Sequence, residues 1–167
     1  LNCPNLSLSP DGTRLVFAAE EKDGPARLFV REMAELESRA LPGTEGASGP
    51  FFAPDNLTVG FFARGKLRTL SVLGGEPTAL CDVTLPMGGC WGPDGMIHIV
   101  NREGNELLRV PPTGGKPTDA GNGTWMGRYP QFLPDGKHIL HFGRWTLRDP
   151  QIVSSGRDLL DYVRGTI

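Results

Sequence analysis

Short apolar runs alternate one-in-two with other residues along most of the chain, and Gly or Pro punctuates the gaps between them. Leu15 and Phe17, Val59 and Phe61, Ile97 and Ile99, and then Ile139 mark the pattern. A period of two buries one face of an extended strand. A further strand is predicted after each run, at Arg27–Val30, Lys66–Val72, Glu106–Val110 and, more weakly, Gln151–Val153. Shorter fourth strands are predicted at Arg39–Leu41 and Thr78–Leu80. The link Gly74-Gly75-Glu76-Pro77-Thr78 returns as Gly114-Gly115-Lys116-Pro117-Thr118, a Gly-Gly turn followed by an extended X-Pro step. Almost no helix is expected. Asp158–Val163 reads equally as a helical turn or as the start of a strand.

Ahead of each alternating run stands the same corner. Pro10-Asp11-Gly12, Pro54-Asp55-Asn56, Pro93-Asp94-Gly95 and Pro134-Asp135-Gly136 have prolines 44, 39 and 41 residues apart. Roughly 0.15 such triplets would arise by chance in a chain of this composition, so four at regular spacing are a repeat. Pro fixes φ for the second position of a type I turn, Asp bonds its own backbone, and Gly or Asn accepts a left-handed conformation. That geometry is the three-residue connection of an antiparallel hairpin. Two residues before each Pro comes a large apolar side chain: Leu8, Phe52, Trp91 and Phe132. These are expected to fill the contact between neighbouring units.

Four antiparallel strands in about 40 residues, repeated side by side, make the blade of a β-propeller. The fold class is all-β, with about four blades in one propeller segment, 1–167. The blades are expected at 1–44, 45–85, 86–124 and 125–167, the last degenerate. A lone blade cannot bury both faces, so each requires a neighbour.

Composition narrows the function. Seventeen Lys and Arg against 19 Asp and Glu give a net charge of −2, without the concentrated positive field that nucleic acid or anionic membrane requires. No apolar run reaches the ~20 residues of a membrane helix. Cys3, Cys81 and Cys90 are odd in number and lack zinc spacing, so they read as small buried apolar residues. Leu1 is neither an initiator Met nor the start of a signal peptide, which reads as a processed chain or a piece of a longer one.

Catalytic patterns are missing. His138 and His141 point to opposite faces of a strand, and His98 reads as a hydrogen-bonded structural residue within an apolar one. Arg157-Asp158 lacks the His and Asn that complete a kinase catalytic loop, and no Gly-x-Ser-x-Gly elbow occurs. The corner aspartates stand one per blade with a sufficient turn role, which argues against calcium. No metal, cofactor or active site is expected.

The unit SPDGTRLVF…RLFVRE…ALPGT, with GGEPTAL and GGKPT in later copies, resembles the WD40-like PD40 repeat of the TolB-type propeller superfamily, from about Cys3 to Phe142. The stretches LPGTEGASGPFFAPDN and LRTLSVLGGEPTALCDV are most similar to the group attached to bacterial serine/threonine kinases. The resemblance implies a ring of six or seven blades, of which this chain holds an incomplete arc. It implies a non-catalytic binding or sensing module for protein or ligand, on the extracytoplasmic side of a bacterial membrane. The alternative is the gating propeller of a prolyl-oligopeptidase-type serine peptidase whose catalytic domain lies outside this chain. An open arc would also self-associate through its free sheet edges. Trp125, Arg128 and Tyr129, with Arg144 and Trp145, concentrate the residue types enriched at interface hot spots and are the candidate interface.

Overall fold

A computed structural model describes residues 5–20, 24–120, 127–133 and 135–143. They form strands and turns without a helix. The first sheet is β1 (Leu6–Leu8), β2 (Arg14–Ala19), β3 (Arg27–Glu32) and β4 (Arg39–Ala40). The second is β5 (Ser48–Phe52), β6 (Thr58–Ala63), β7 (Lys66–Ser71) and β8 (Thr78–Asp82). The third is β9 (Pro86–Trp91), β10 (Ile97–Asn101), β11 (Glu106–Val110) and β12 (Thr118–Asp119). Of the fourth, β13 (Gly127–Phe132) and β14 (Ile139–Gly143) are described. Within each sheet, every strand pairs antiparallel with its neighbour in sequence. The strand expected at Gln151–Val153 and the turn at Asp158–Val163 lie outside the described residues.

The sheets stand face to face as blades of a β-propeller. The first strands converge, β1 against β5, β5 against β9 and β9 against β13, so they form the inner side of the arc. Period-two alternation supplies a different core to each face of a sheet. Between sheets one and two, Val16, Leu28 and Val30 meet Phe52, Val59 and Phe61. Between sheets two and three, Phe51, Phe62 and Leu67 meet Ile97, Ile99 and Val110. Met87, Val100 and Leu107 carry the next layer, with Ile139 packed on it. Each large apolar side chain buried this way contributes about 1.5–3 kcal/mol.

Thr44, fully buried, ties the connection between the first two sheets: its hydroxyl donates to the Leu41 carbonyl at 2.6 Å and accepts the Leu28 N–H at 3.0 Å. Arg64 and Gly65, both at positive φ, make the two-residue turn between β6 and β7.

One expectation fails at the start of the arc. Phe52 is buried between sheets, but Leu8, its counterpart, is largely exposed because the described residues place no sheet against that side of β1 and β2.

Candidate functional site

The repeated corners all lie at one end of the sheets. In each, a 3₁₀-type bond closes the turn: Gly12 N–H to Ser9 at 2.9 Å, Asn56 to Ala53 at 3.3 Å, Gly95 to Gly92 at 3.0 Å and Gly136 to Leu133 at 2.9 Å. Gly12, Asn56, Gly95 and Gly136 all have φ between 62° and 76°, following Pro10-Asp11, Pro54-Asp55, Pro93-Asp94 and Asp135 respectively. Pro134 lies outside the described residues. The hairpin has the expected three-residue loop only in the third sheet, where the Gly92 N–H reaches Met96 O. In the others Ser9 pairs with Arg14, Ala53 with Thr58 and Leu133 with His138, giving four-residue loops. In loops of both lengths the aspartate carboxylate caps an amide that follows it.

Asp11 Oδ1 accepts the Ser9 hydroxyl at 2.6 Å and the Thr13 N–H at 2.9 Å. Those bonds, the Ser9 hydroxyl foremost, hold its carboxyl below the usual range. Asp55 accepts the Leu57 and Thr58 N–H groups at 2.8 and 2.7 Å and the Thr58 hydroxyl at 2.6 Å. Partial burial opposes its ionisation, but these donors prevail and its pKa is lowered. Asp135 accepts the Lys137 N–H at 2.9 Å and bonds the His138 ring, which brings its pKa down to about 2. Neighbouring corners also touch: the Asp11 N–H donates to Asn56 Oδ1 at 3.0 Å. The carboxylates are thus engaged in holding their own turns.

The third corner carries more. Asp94 Oδ1 accepts the Met96 N–H at 3.1 Å while Oδ2 pairs with Arg109. His98 lies 3.7 Å from Asp94 through Nε2 and meets Phe132 of the next sheet edge-on, with ring centroids 5.0 Å apart. Contrary to expectation, neither ring nitrogen of this buried histidine makes a hydrogen bond to the described residues. The strand direction aims the ring at the next sheet, where Phe132 offers no acceptor. Burial holds its pKa below the ordinary value, with Asp94 acting in the opposite sense. Gly92 makes room, since a Cβ there would stand 2.5 Å from Asp94 Oδ1 and 3.0 Å from His98 Nε2.

At the other end of the first strands, a register shift interrupts β5, β9 and β13 in turn. The residue five before each corner proline there has positive φ: Gly49 at 56°, Gly88 at 111° and Tyr129 at 55°. Two sheets use glycine at this bulge, as its backbone requires. The fourth uses a tyrosine, a bulky residue in a conformation such residues rarely adopt. Its backbone closes on the preceding sheet, so a Cβ at Gly88 would stand 2.9 Å from the Tyr129 Cα. Arg128 precedes it, half-buried and paired with Phe142 across β13 and β14. These two candidate interface residues therefore sit together on the inner strand of the fourth sheet. Trp125, Arg144 and Trp145 lie outside the described residues.

The bulge was missed in the sequence, although its constant offset of five residues from the corner proline is readable there. Beside the start of β5 a depression of about 100 Å³ is lined by Ser48, Phe62, Arg64, Lys66 and Pro86 among others. Sites that enclose a small molecule run to about 300–1,000 Å³.

No protein-family model matches the chain, and no curated protein sequence matches it. Solved structures do. A protein assigned as TolB in Agrobacterium tumefaciens superposes with a TM-score of 0.73 at 16% identity, over 84% of this chain and 53% of its own. TolB of Acinetobacter baumannii gives 0.68 at 14%, over 87% of this chain and 38% of its own. A gluconolactonase of Xanthomonas campestris gives 0.64 at 14%, over 83% and 52%. The chain spans about half the length, or less, of these structures. The shared feature is the TolB-type propeller fold.

Proposed function

We propose that this chain is a non-catalytic binding module whose recognition surface includes Arg128 and Tyr129. The observation that carries the reading is the tyrosine at φ 55°, at a bulge where the two preceding sheets place glycine. A left-handed non-glycine residue costs about 1–2 kcal/mol, and such strain concentrates at functional positions. Tyr and Arg are also among the residue types enriched at interface hot spots. The corner carboxylates support the same reading, since their hydrogen bonds serve the turns.

The wider role is that of the extracytoplasmic region of a bacterial signalling serine/threonine kinase or a TolB-like scaffold, supported by the repeat wording and by the fold. The partner is a protein or a small ligand, and the four repeat units are the blades at 1–44, 45–85, 86–124 and 125–167. A photo-crosslinking residue at Arg128 tests the binding role. It should capture a defined envelope protein of the source cell, and the added substitution Tyr129→Gly should abolish capture while leaving the unfolding midpoint unchanged or higher. Equal capture from a crosslinker placed at Glu76 would refute it. Lactone hydrolysis by the chain, the activity named for one structural neighbour, would refute the non-catalytic half.

A further inference from the structure

The turn between β6 and β7 holds a residue that its backbone does not favour. Both positions of this two-residue turn need positive φ, which suits Asn, Asp or Gly, yet Arg64 takes the first at φ 51°. A left-handed arginine costs stability, and such strain persists where something else uses the side chain. The ion pair with Glu45 does not supply that use. It spans 4.0 Å, Glu45 lies nearer to Arg27 at 3.5 Å, and the Arg64 side chain stays 70% exposed. Most of its five N–H donors are therefore left to solvent.

Arg64 stands at the lip of the depression between sheets two and three, each of which has a described sheet on its other side. Ser48 at the start of β5 and Thr84 in the link into β9 line it with hydroxyls, neither of them bonded among the described residues. Lys66 adds a second cation, paired with Asp82. Around the opening Arg27, Arg64 and Lys66 face Glu45 and Asp82, an excess of one positive charge. Guanidinium and hydroxyl donors in one small recess suit a planar acceptor that carries a single negative charge. About 100 Å³ accommodates roughly three water-sized groups, the size of a carboxylate with its methylene. A phosphate, with more charge, would meet the Glu45 and Asp82 carboxylates.

The depression opens beside the residues of the binding role. Ser48 precedes the bulge at Gly49, and Pro86 lies two residues before Gly88, against which the Tyr129 backbone closes. At about 3.3 Å per residue, an extended peptide with one side chain in the depression reaches Tyr129 within about three residues. We propose that the recess under Arg64, Ser48 and Thr84 receives an aspartate or glutamate side chain of a protein partner. This names the partner's chemistry and rests, for its being a protein, on the role proposed above.

The test is a titration of the full chain with the peptide acetyl-Gly-Gly-Glu-Gly-Gly-amide, followed by amide chemical shifts in NMR spectra. Saturable shifts are expected at Ser48, Gly65, Lys66 and Thr84, with a Kd of about 5 mM. The Gln analogue of the peptide and free acetate should each bind about threefold more weakly, or worse. Arg64→Asn should weaken the Glu peptide about tenfold while raising the unfolding midpoint, because Asn suits the left-handed turn. Ser48→Ala should give a second, milder loss. Equal binding of the Glu and Gln peptides, or tighter binding of methyl phosphate, would overturn the proposal. So would acetate that matches the peptide, which makes a free carboxylate the ligand, or an Arg64→Asn chain that loses stability, which assigns the arginine to Glu45. Capture from Arg128 without any peptide shift sinks this site alone, whereas peptide shifts without capture sink the wider role and leave the carboxylate recess.

Discussion

The ring of Phe51 occupies the space beside Gly60, where a Cβ would stand 2.3 Å from the ring Cζ. The same ring also leans on Gly89 of the next sheet, leaving 2.7 Å for a Cβ there, and lies 6.2 Å from the Trp91 ring between centroids. One aromatic residue thus wedges two sheets together, and two glycines in strand interiors give it room. Gly60→Ala should cost about 1–3 kcal/mol by overpacking, and Phe51→Ala about 3–5 kcal/mol by leaving a cavity. Urea unfolding measures both. The pair Gly60→Ala with Phe51→Leu should cost less than the sum of its singles, because the clash goes with the ring; strict additivity would place Phe51 elsewhere.

Asp55→Ala removes the acceptor of two amides and a hydroxyl, and should destabilise the chain by about 1–2 kcal/mol. Asn56→Gly keeps the left-handed turn but loses the bond from the Asp11 N–H, so it should be nearly neutral. A loss on Asn56→Gly as large as that of Asp55→Ala would mean that contact between corners outweighs the turn itself.

Acid should destabilise the fold in two windows. His98 and His141 are both held below their ordinary ionisation by burial, so between their folded and unfolded pKa values the unfolded chain binds more protons. Their contribution is complete above about 6.5 and is lost as pH falls through that value. The corner carboxylates have lowered pKa values, so their contribution is present above about 4 and is lost below it, down to about 2 for Asp135. His98→Gln should flatten the slope of stability between pH 7.5 and 5.5 while leaving the acid limb unchanged. An unaltered slope at near-neutral pH would assign it to His141 or elsewhere.

Burial pushes the Cys90 thiol up to about 12, and burial with the Asp82 charge raises Cys81. In a Cys3→Ser background at pH 8, Cys90 should resist a thiol reagent until urea is added, and Cys81 should react slowly. Prompt labelling of both would show that the third sheet opens in the native state.

The strands and corners were legible because both obey short-range rules: alternation of period two, and a triplet whose backbone preferences suit one turn. Trp91 and Phe132 announced themselves by their offset from the corner proline. Leu8 obeyed the same offset and yet stands in water, since burial depends on what lies across the face and not on the residue. The four-residue loops escaped because the Pro-Asp-Gly/Asn triplet closes the same turn in loops of both lengths, three residues in the third sheet and four in the others. His98 looked like a satisfied histidine; its surroundings come from Phe132 and Arg109, which are distant in sequence and set by packing. Tyr129 was singled out for its side chain, whereas its unusual feature is its backbone.

Among the described residues, each strand pairs only with the one just before or after it. A sheet therefore has all its pairing partners within some forty residues of emerging chain, and no hairpin waits for a distant segment to be synthesised. Folding on the ribosome can proceed stepwise, each new sheet settling on its finished predecessor.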